Sequence, residues 1–248
     1  MLDTRLTIPQ PTSDGIIPTL NKMGYMFSPP DRVVQSFMDY AQEQRKKVLD
    51  IGCAYGVASI PLAKQQIEVI ACDADERHIK LLQESLTVEE RKFITPIHGT
   101  MPHTVSFEPN SFQAVLMSLV LHFLKPEEIQ QSFKLIHQWL NPGGLFFATI
   151  ASPYAKNLVP FSEIFIERKK QNNPWPGVIE NAPEYAPERS KGQIPEYMQV
   201  MDTDTLRRVA EQAKFEIVEL FYYTKENLPE DVQLDGREFV GLVGRKGQ

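Results

Sequence analysis

Two cysteines, Cys53 and Cys72, are all that 248 residues contain, and neither stands in a CxxC pair or a Cys/His cluster. That scarcity excludes a disulfide scaffold and a structural zinc site, and no metal is expected. Basic residues are in deficit too: 26 Lys and Arg against 32 Asp and Glu leave a formal charge of −6 and a pI near 5.5. A dedicated nucleic-acid binder usually carries a basic excess, so nucleic acid is not the expected partner. Long apolar runs are missing as well. The longest, Ala114 to Leu124, is 11 residues broken by Ser118 and His122, too short to cross a bilayer. The opening MLDTRLTIPQ lacks the basic-then-apolar pattern of a secretory leader. A soluble cytoplasmic protein with no membrane association is the expectation. What is present is ordinary for a globular fold, 42% apolar and 23% charged residues, in a length suited to one α/β domain.

Five of the 19 prolines fall in residues 1–30, which read as an irregular arm. Ser28-Pro29-Pro30-Asp31 then opens a helix, with Ser28 as the N-cap candidate and Val33, Val34, Phe37, Met38 and Ala41 at helical spacing. From there strands and helices alternate. Val48–Ile51, Glu68–Cys72, Phe93–His98, Ser111–Ser118 and Leu145–Ile150 read as strands, the third weakly. Helices are expected at 57–64, up to Ser85, and over 127–140, the last stopped by Asn141-Pro142-Gly143-Gly144. Such alternation implies right-handed crossovers and a mostly parallel sheet.

Residues 153–202 break the rhythm with seven prolines, six aromatics and one helical stretch near 161–170. Fifty residues of this kind inside a compact domain are usually functional rather than a plain connector. A helix capped by Asp202 or Thr203, a strand over 215–224 and a strand over 238–246 follow. Only 13 residues without helical pattern link these last two strands, so they must pair antiparallel.

Val48-Leu49-Asp50-Ile51-Gly52-Cys53-Ala54-Tyr55-Gly56 is a buried strand running into a glycine turn and a helix. A ligand can approach the main chain closely there, facing the positive end of the helix. Asp73 ends the next strand 21 residues after Gly52, where a carboxylate can accept hydrogen bonds from ribose hydroxyls. The pairing points to a nucleoside site; a bare turn and helix cap is the bland alternative. Asp75 is explained as a helix N-cap.

VLDIGCAYGVASIPLA resembles the first motif of class I S-adenosylmethionine-dependent methyltransferases, with Gly-x-Ala-x-Gly where many members have three glycines. The likeness continues through EVIACDAD, NSFQAVLMSLVLHFL and LNPGGLFFATI, and the antiparallel last strand is similar to the family's seventh. About 180 residues are covered; the arm and the 153–202 segment are not. A dinucleotide-dependent dehydrogenase shares the first two strands but typically lacks the antiparallel end. The resemblance implies a Rossmann-like, doubly wound, mostly parallel seven-stranded sheet with an antiparallel terminal strand, in a three-layer α/β/α single domain spanning 1–248.

Matched positions imply S-adenosylmethionine as cofactor and S-adenosylhomocysteine as product. Gly52, Ala54 and Gly56 would admit the methionine half, with Asp50 holding the loop or reaching the amino group. Asp73 would bind the ribose and Ala74 lie on the adenine. Thr100 and Met101 stand where the family often has an acid, and Ser118 and Leu119 would offer carbonyls to the ammonium group. Ala54 and Gln113 depart from the family pattern, and the sequence after strand four lacks the Asn/Asp-Pro-Pro-Tyr/Phe of base and amide methylation.

The implied reaction is in-line displacement of the sulfonium methyl by an acceptor, which needs alignment and exclusion of water more than acid–base help. His122 is the candidate base or orienting group, or else a packed histidine, and Tyr154 is a weaker catalytic candidate. Residues 153–202 are expected to form a lid over the acceptor, with Tyr154, Phe161, Trp175 and Tyr185 lining an apolar pocket or merely anchoring the lid, and Tyr25 closing the other side. Cys53 and Cys72 are expected to be buried and inert. A small-molecule acceptor is the first expectation. A protein or peptide acceptor is the rival, and a non-catalytic binding or scaffold module the alternative of a different class. The sequence leaves the oligomeric state open.

Overall fold

The computed structural model describes residues 6–12 and 16–248; the first five residues of the expected arm and residues 13–15 lie outside the described residues. The arm is less irregular than its prolines imply. Strands β1 (Ile16–Pro18) and β2 (Tyr25–Phe27) pair antiparallel, Ile16 opposite Phe27. Helix α1 (Arg32–Gln44) follows and buries the five apolar residues that its spacing placed on one stripe. Its N-cap is Asp31 rather than Ser28, since the Asp31 carboxylate stands next to the first turn and accepts from the Val33 and Val34 amides at 3.0 Å.

Then come β3 (Val48–Ile51), α2 (Ser59–Lys64), β4 (Val69–Asp73), α3 (Glu76–Ser85), β5 (Ile94–His98), β6 (Phe112–Ser118), α4 (Pro126–Trp139) and β7 (Leu140–Ala151). The Asn141–Gly144 turn does not precede β7 but bulges within it: Leu140 pairs with Phe112, yet Leu145 pairs with Ala114. In the 153–202 segment, α5 (Val159–Lys170) is followed by the short antiparallel pair β8 (Val178–Ile179) and β9 (Met198–Gln199). The chain closes with α6 (Thr203–Gln212), capped by Asp202, then β10 (Phe215–Tyr223) and β11 (Phe239–Lys246).

The main sheet has seven strands in the order β10-β11-β7-β6-β3-β4-β5. Strand β11 runs antiparallel to both neighbours and the remaining pairs are parallel. This is the expected doubly wound, three-layer architecture. Alternation along the strands feeds two separate cores. Leu49, Val115 and Met117 pack under α4 and α6, while Val48, Ala114 and Leu116 face α1, α2 and α3. Edge strand β5 gave the weakest sequence signal because it is half-exposed and carries Pro96, which an edge tolerates.

The chain order reverses between β3 and β6, a switch point whose carboxyl edge leaves a crevice for a ligand. Among the described residues no helix is long and apolar enough to cross a membrane.

Candidate active site

The crevice is shaped first by backbone geometry. Strand β3 ends at Ile51, and Gly52 turns with φ +76, where an added Cβ would collide with the Val120 side chain. The Gly52 and Cys53 amides both donate to the Cys72 carbonyl, at 2.8 and 3.0 Å, tying the loop to the end of β4. Ala54, at the position of the family's middle glycine, has φ +43, a left-handed conformation that costs an alanine about 1 kcal/mol. Gly56 also has positive φ, but a Cβ there would press on Leu82 of α3. Its role is helix packing, and it does not line the cavity.

Above this loop lies a cavity of about 330 Å³, within the range of small-molecule sites. Two buried carboxylates face it. Asp73 Oδ2 accepts from the Ala54 amide at 2.9 Å, and Oδ1 accepts from the Asp75 amide at 2.9 Å and from His78 Nδ1 at 3.0 Å. The Leu20 amide donates to His78 Nε2 at 3.0 Å, which leaves the ring proton on Nδ1. Three of the four lone-pair directions of Asp73 are thus used, and one remains for a ligand hydroxyl. Asp50 accepts from the Ser59 hydroxyl at 2.6 Å. Burial, joined by the negative charge of Asp73, outweighs that bond and raises its pKa to about 6.

The roof comes from the arm. Thr19, Met23, Tyr25 and Phe27 close the cavity from above, and Asp31 and Lys225 stand at its end. Lys225 is buried and ion-paired with Asp31, which also accepts from Tyr223 Oη at 3.0 Å. The ammonium lies over the rings of Phe27 at 4.4 Å and Phe239 at 4.8 Å. Burial lowers the lysine's pKa, while Asp31 works against that shift.

A second chamber, about 170 Å³ and chiefly apolar, adjoins the first. Met23, Tyr25, Phe27, Leu119 and Phe123 belong to the walls of both. Leu119 sits at this junction with φ +56, held there by its amide's bonds to the Thr149 carbonyl and hydroxyl at 3.1 Å. The outer wall is the 153–202 segment, from Ala155 to Val200, together with the link between β10 and β11. Arm and segment are stitched together where the Gly24 amide donates to the Gln193 carbonyl at 2.8 Å and Tyr25 Oη to Ser190 Oγ at 3.0 Å.

Nine of the ten residues expected at the cofactor line the first cavity: Asp50, Gly52, Ala54, Asp73, Ala74, Thr100, Met101, Ser118 and Leu119. His122 lines the second chamber, with Nδ1 unpartnered. Burial and the nearby Lys225 charge lower its pKa to about 3. It stays neutral and can orient a ligand, but it is a poor proton acceptor. Tyr154 lies outside both cavities, packed on Tyr222 at 5.7 Å beneath the Arg237 guanidinium. Tyr25 and Tyr185 line the chamber, whereas Phe161 is buried in the segment's own small core and Trp175 packs under Arg208. Neither lines the chamber; with Tyr185 both border a separate, open depression. The thiols of Cys53 and Cys72 are buried and pushed up, Cys72 to about 12, by burial first and the neighbouring carboxylates second.

Sequence reasoning missed His78, the Asp31–Lys225 pair, Asn157 and Glu238. Asp31 and Lys225 are 194 positions apart, so no local pattern announces them. His78 lies on α3 five residues past Asp73, one turn into the helix that the acid introduces, and that spacing could have found it.

The fold is that of the class I S-adenosylmethionine-dependent methyltransferases. Residues 48–144 match a family model described as a methyltransferase domain. Among solved structures, a SAM-dependent methyltransferase from Methanosarcina mazei aligns with a TM-score of 0.62 at 17% identity, covering 81% of this chain and 92% of that one. Among curated relatives, the tRNA N(3)-methylcytidine methyltransferase Mettl2 of Drosophila melanogaster is 29% identical over 113 residues, 43% of this chain and 35% of that protein. The carboxy-S-adenosyl-L-methionine synthase of Shewanella piezotolerans is 26% identical over 121 residues, 46% of this chain and 49% of that protein. The matched stretch thus spans half or less of these relatives.

The cofactor of this fold is S-adenosylmethionine, and the residues present suit it. A glycine turn admits a ligand to the backbone, a free lone pair on Asp73 awaits a hydroxyl, and Asp50 and Asp73 offer negative charge to a cation.

Proposed function

We propose that this protein transfers a methyl group from S-adenosylmethionine to a small-molecule acceptor held in the second chamber. The observation that carries the reading is the shared wall: the cofactor cavity and a chiefly apolar chamber meet at Leu119, Phe123 and the arm residues Tyr25 and Phe27. A chiefly apolar recess of about 170 Å³ is sized for a compact molecule rather than a protein segment or a nucleic acid. The 153–202 segment serves as the lid of that chamber.

In this reading Asp73 takes a ribose hydroxyl, Ala74 and Met101 border the adenine, and Asp50 with the carbonyls after β6 faces the ammonium group. The cofactor supplies a sulfonium-bound methyl group that an acceptor heteroatom displaces in line. The chain's own contribution is alignment and dryness: Leu119 and Phe123 shape the mouth, and the arm and segment exclude water. With His122 neutral and Tyr154 outside, neither expected base serves the mouth, so the acceptor atom is one that attacks without prior deprotonation or releases its proton to solvent afterwards.

Calorimetric titration with S-adenosylhomocysteine tests the site. Micromolar binding is expected, and Asp73→Ala should weaken it at least tenfold, on the order of 1.4 kcal/mol. Absence of binding by the wild-type protein would leave a scaffold role instead.

A further inference from the structure

The second chamber carries polar atoms with no internal partner, and they are alike in kind. Glu238 is 1% exposed, and its Oε1 accepts from the amides of Leu234, Asp235 and Gly236 at 2.6 to 3.1 Å. Its Oε2 has no hydrogen-bond partner. Although burial opposes ionisation, those amides and the nearby Thr224 hydroxyl prevail and hold the carboxyl below the usual range. Asn157 donates Nδ2 to the Tyr185 carbonyl at 2.8 Å, which fixes the amide orientation and leaves Oδ1 buried and free. Both residues line the chamber.

The remaining charges nearby are already matched. Arg189, in the chamber wall, is bidentate to Asp231 at 3.0 and 2.5 Å. Lys225, in the neighbouring cavity, is paired with Asp31. His122 is neutral. Among the described residues Glu238 forms no ion pair, so the chamber presents a carboxylate whose second oxygen lacks a donor, and a free amide oxygen, among chiefly apolar walls. A buried acceptor atom left without a donor is costly until one joins it.

We propose that the chamber binds a compact, largely apolar amine, with its ammonium group on Glu238 Oε2 and the Asn157 Oδ1 beside it as a further acceptor. This deepens, and rests on, the reading of the chamber as the acceptor site. The volume suits a body about the size of one benzene ring. Strand register separates the carboxylate from Leu119, the far side of the mouth. Phe239, next to Glu238, pairs with Ala151 on β7, whose neighbour β6 leads to Leu119. Two strand spacings, about 10 Å, lie between. An ammonium on Glu238 also has no lone pair for a methyl group. The amine is therefore the handle by which the molecule is held, and its methyl-accepting atom lies at the opposite end.

The test uses the full chain saturated with S-adenosylhomocysteine and three matched probes: benzylamine, benzyl alcohol and benzoate. Calorimetric titration should show benzylamine binding at least tenfold more tightly than benzyl alcohol, and benzoate not at all. Glu238→Gln, which keeps the shape and the amide bonds to Oε1, should erase the amine's advantage and leave benzyl alcohol unchanged. Equal binding of the three probes by the wild-type protein, no amine binding, or an amine preference that survives in Glu238→Gln overturns the proposal. The wild-type selectivity decides the matter even should the variant fold poorly. Failure of S-adenosylhomocysteine to bind refutes the cofactor reading instead, and benzylamine titrated into the ligand-free chain still reads the chamber.

Discussion

Asp50 sits between two opposed influences: a 2.6 Å bond from Ser59 that favours its charge, and a buried setting beside Asp73 that opposes it more strongly. Its folded pKa of about 6 lies well above the ordinary aspartate value. The protonated form is therefore preferred in the fold, and the stability this gives is present at acid pH. It is lost as pH rises from about 4 through about 6, an effect of roughly 3 kcal/mol for the ligand-free protein. A ligand ammonium reverses the preference, because it attracts the carboxylate and not the acid. Affinity for S-adenosylhomocysteine should then fall by about tenfold between pH 7.5 and pH 5, and Asp50→Asn should flatten that dependence while weakening binding at the higher pH. Titrations of both proteins at the two pH values check this; a wild-type affinity that ignores pH would remove Asp50 from the ligand. Asp50, Gly52 and Asp73 were legible in sequence because the turn and the acid are set by local chain geometry. Tyr154 was misread because an aromatic just past a strand can turn either way, and the Arg237 guanidinium and the Tyr222 ring draw it outward.

Helix α1 shows how an element can be anchored by a residue far along the chain. Asp31 caps its first turn with two amide bonds and accepts from Tyr223 while pairing with the buried Lys225. Removal of Asp31 leaves an ammonium among Phe27, Tyr223 and Phe239 with no counter-charge, whereas removal of the lysine leaves a carboxylate that keeps its three donors. Asp31→Ala should therefore cost about 3–5 kcal/mol, Lys225→Met clearly less, and the double variant Asp31→Asn/Lys225→Met should recover much of the loss. Urea unfolding of the three proteins tests the order; equal losses in the two single variants would show that the pair, not the stranded charge, sets the cost. The helix itself was plain from its apolar spacing, as was the strand–helix alternation. Elements of two or three residues were not: β1, β2, β8 and β9 are too short to show a period of two. The bulge at Asn141–Gly144 read as a stop because proline and glycine mark a turn without saying that pairing resumes beyond it.

At the scale of the molecule, the sheet supplies the floor of both cavities and the arm supplies a roof common to them. Among the described residues three bonds pin the arm to the cofactor side: Leu20 amide to His78 Nε2 at 3.0 Å, Arg77 to the Leu20 carbonyl at 2.9 Å, and Tyr55 Oη to the Pro18 carbonyl at 3.0 Å. Two more join it to the 153–202 segment through Gln193 and Ser190. The first of these bonds ends on the histidine that holds Asp73, so the roof and the expected ribose contact form one hydrogen-bonded chain. Among the described residues the arm's apolar contacts centre on Ile17, Tyr55 and Leu81, and only Phe27 reaches one of the two cores that flank the sheet. Loss of the arm should accordingly affect binding more than folding. Deletion of residues 1–27 is expected to lower the melting temperature by only a few degrees, about 1–2 kcal/mol for a domain of this size, yet weaken S-adenosylhomocysteine at least tenfold. A truncated protein that binds within twofold of the intact one would show that the sheet edge alone holds the cofactor and that the arm closes only the acceptor chamber. One that unfolds would show that the arm belongs to the core after all.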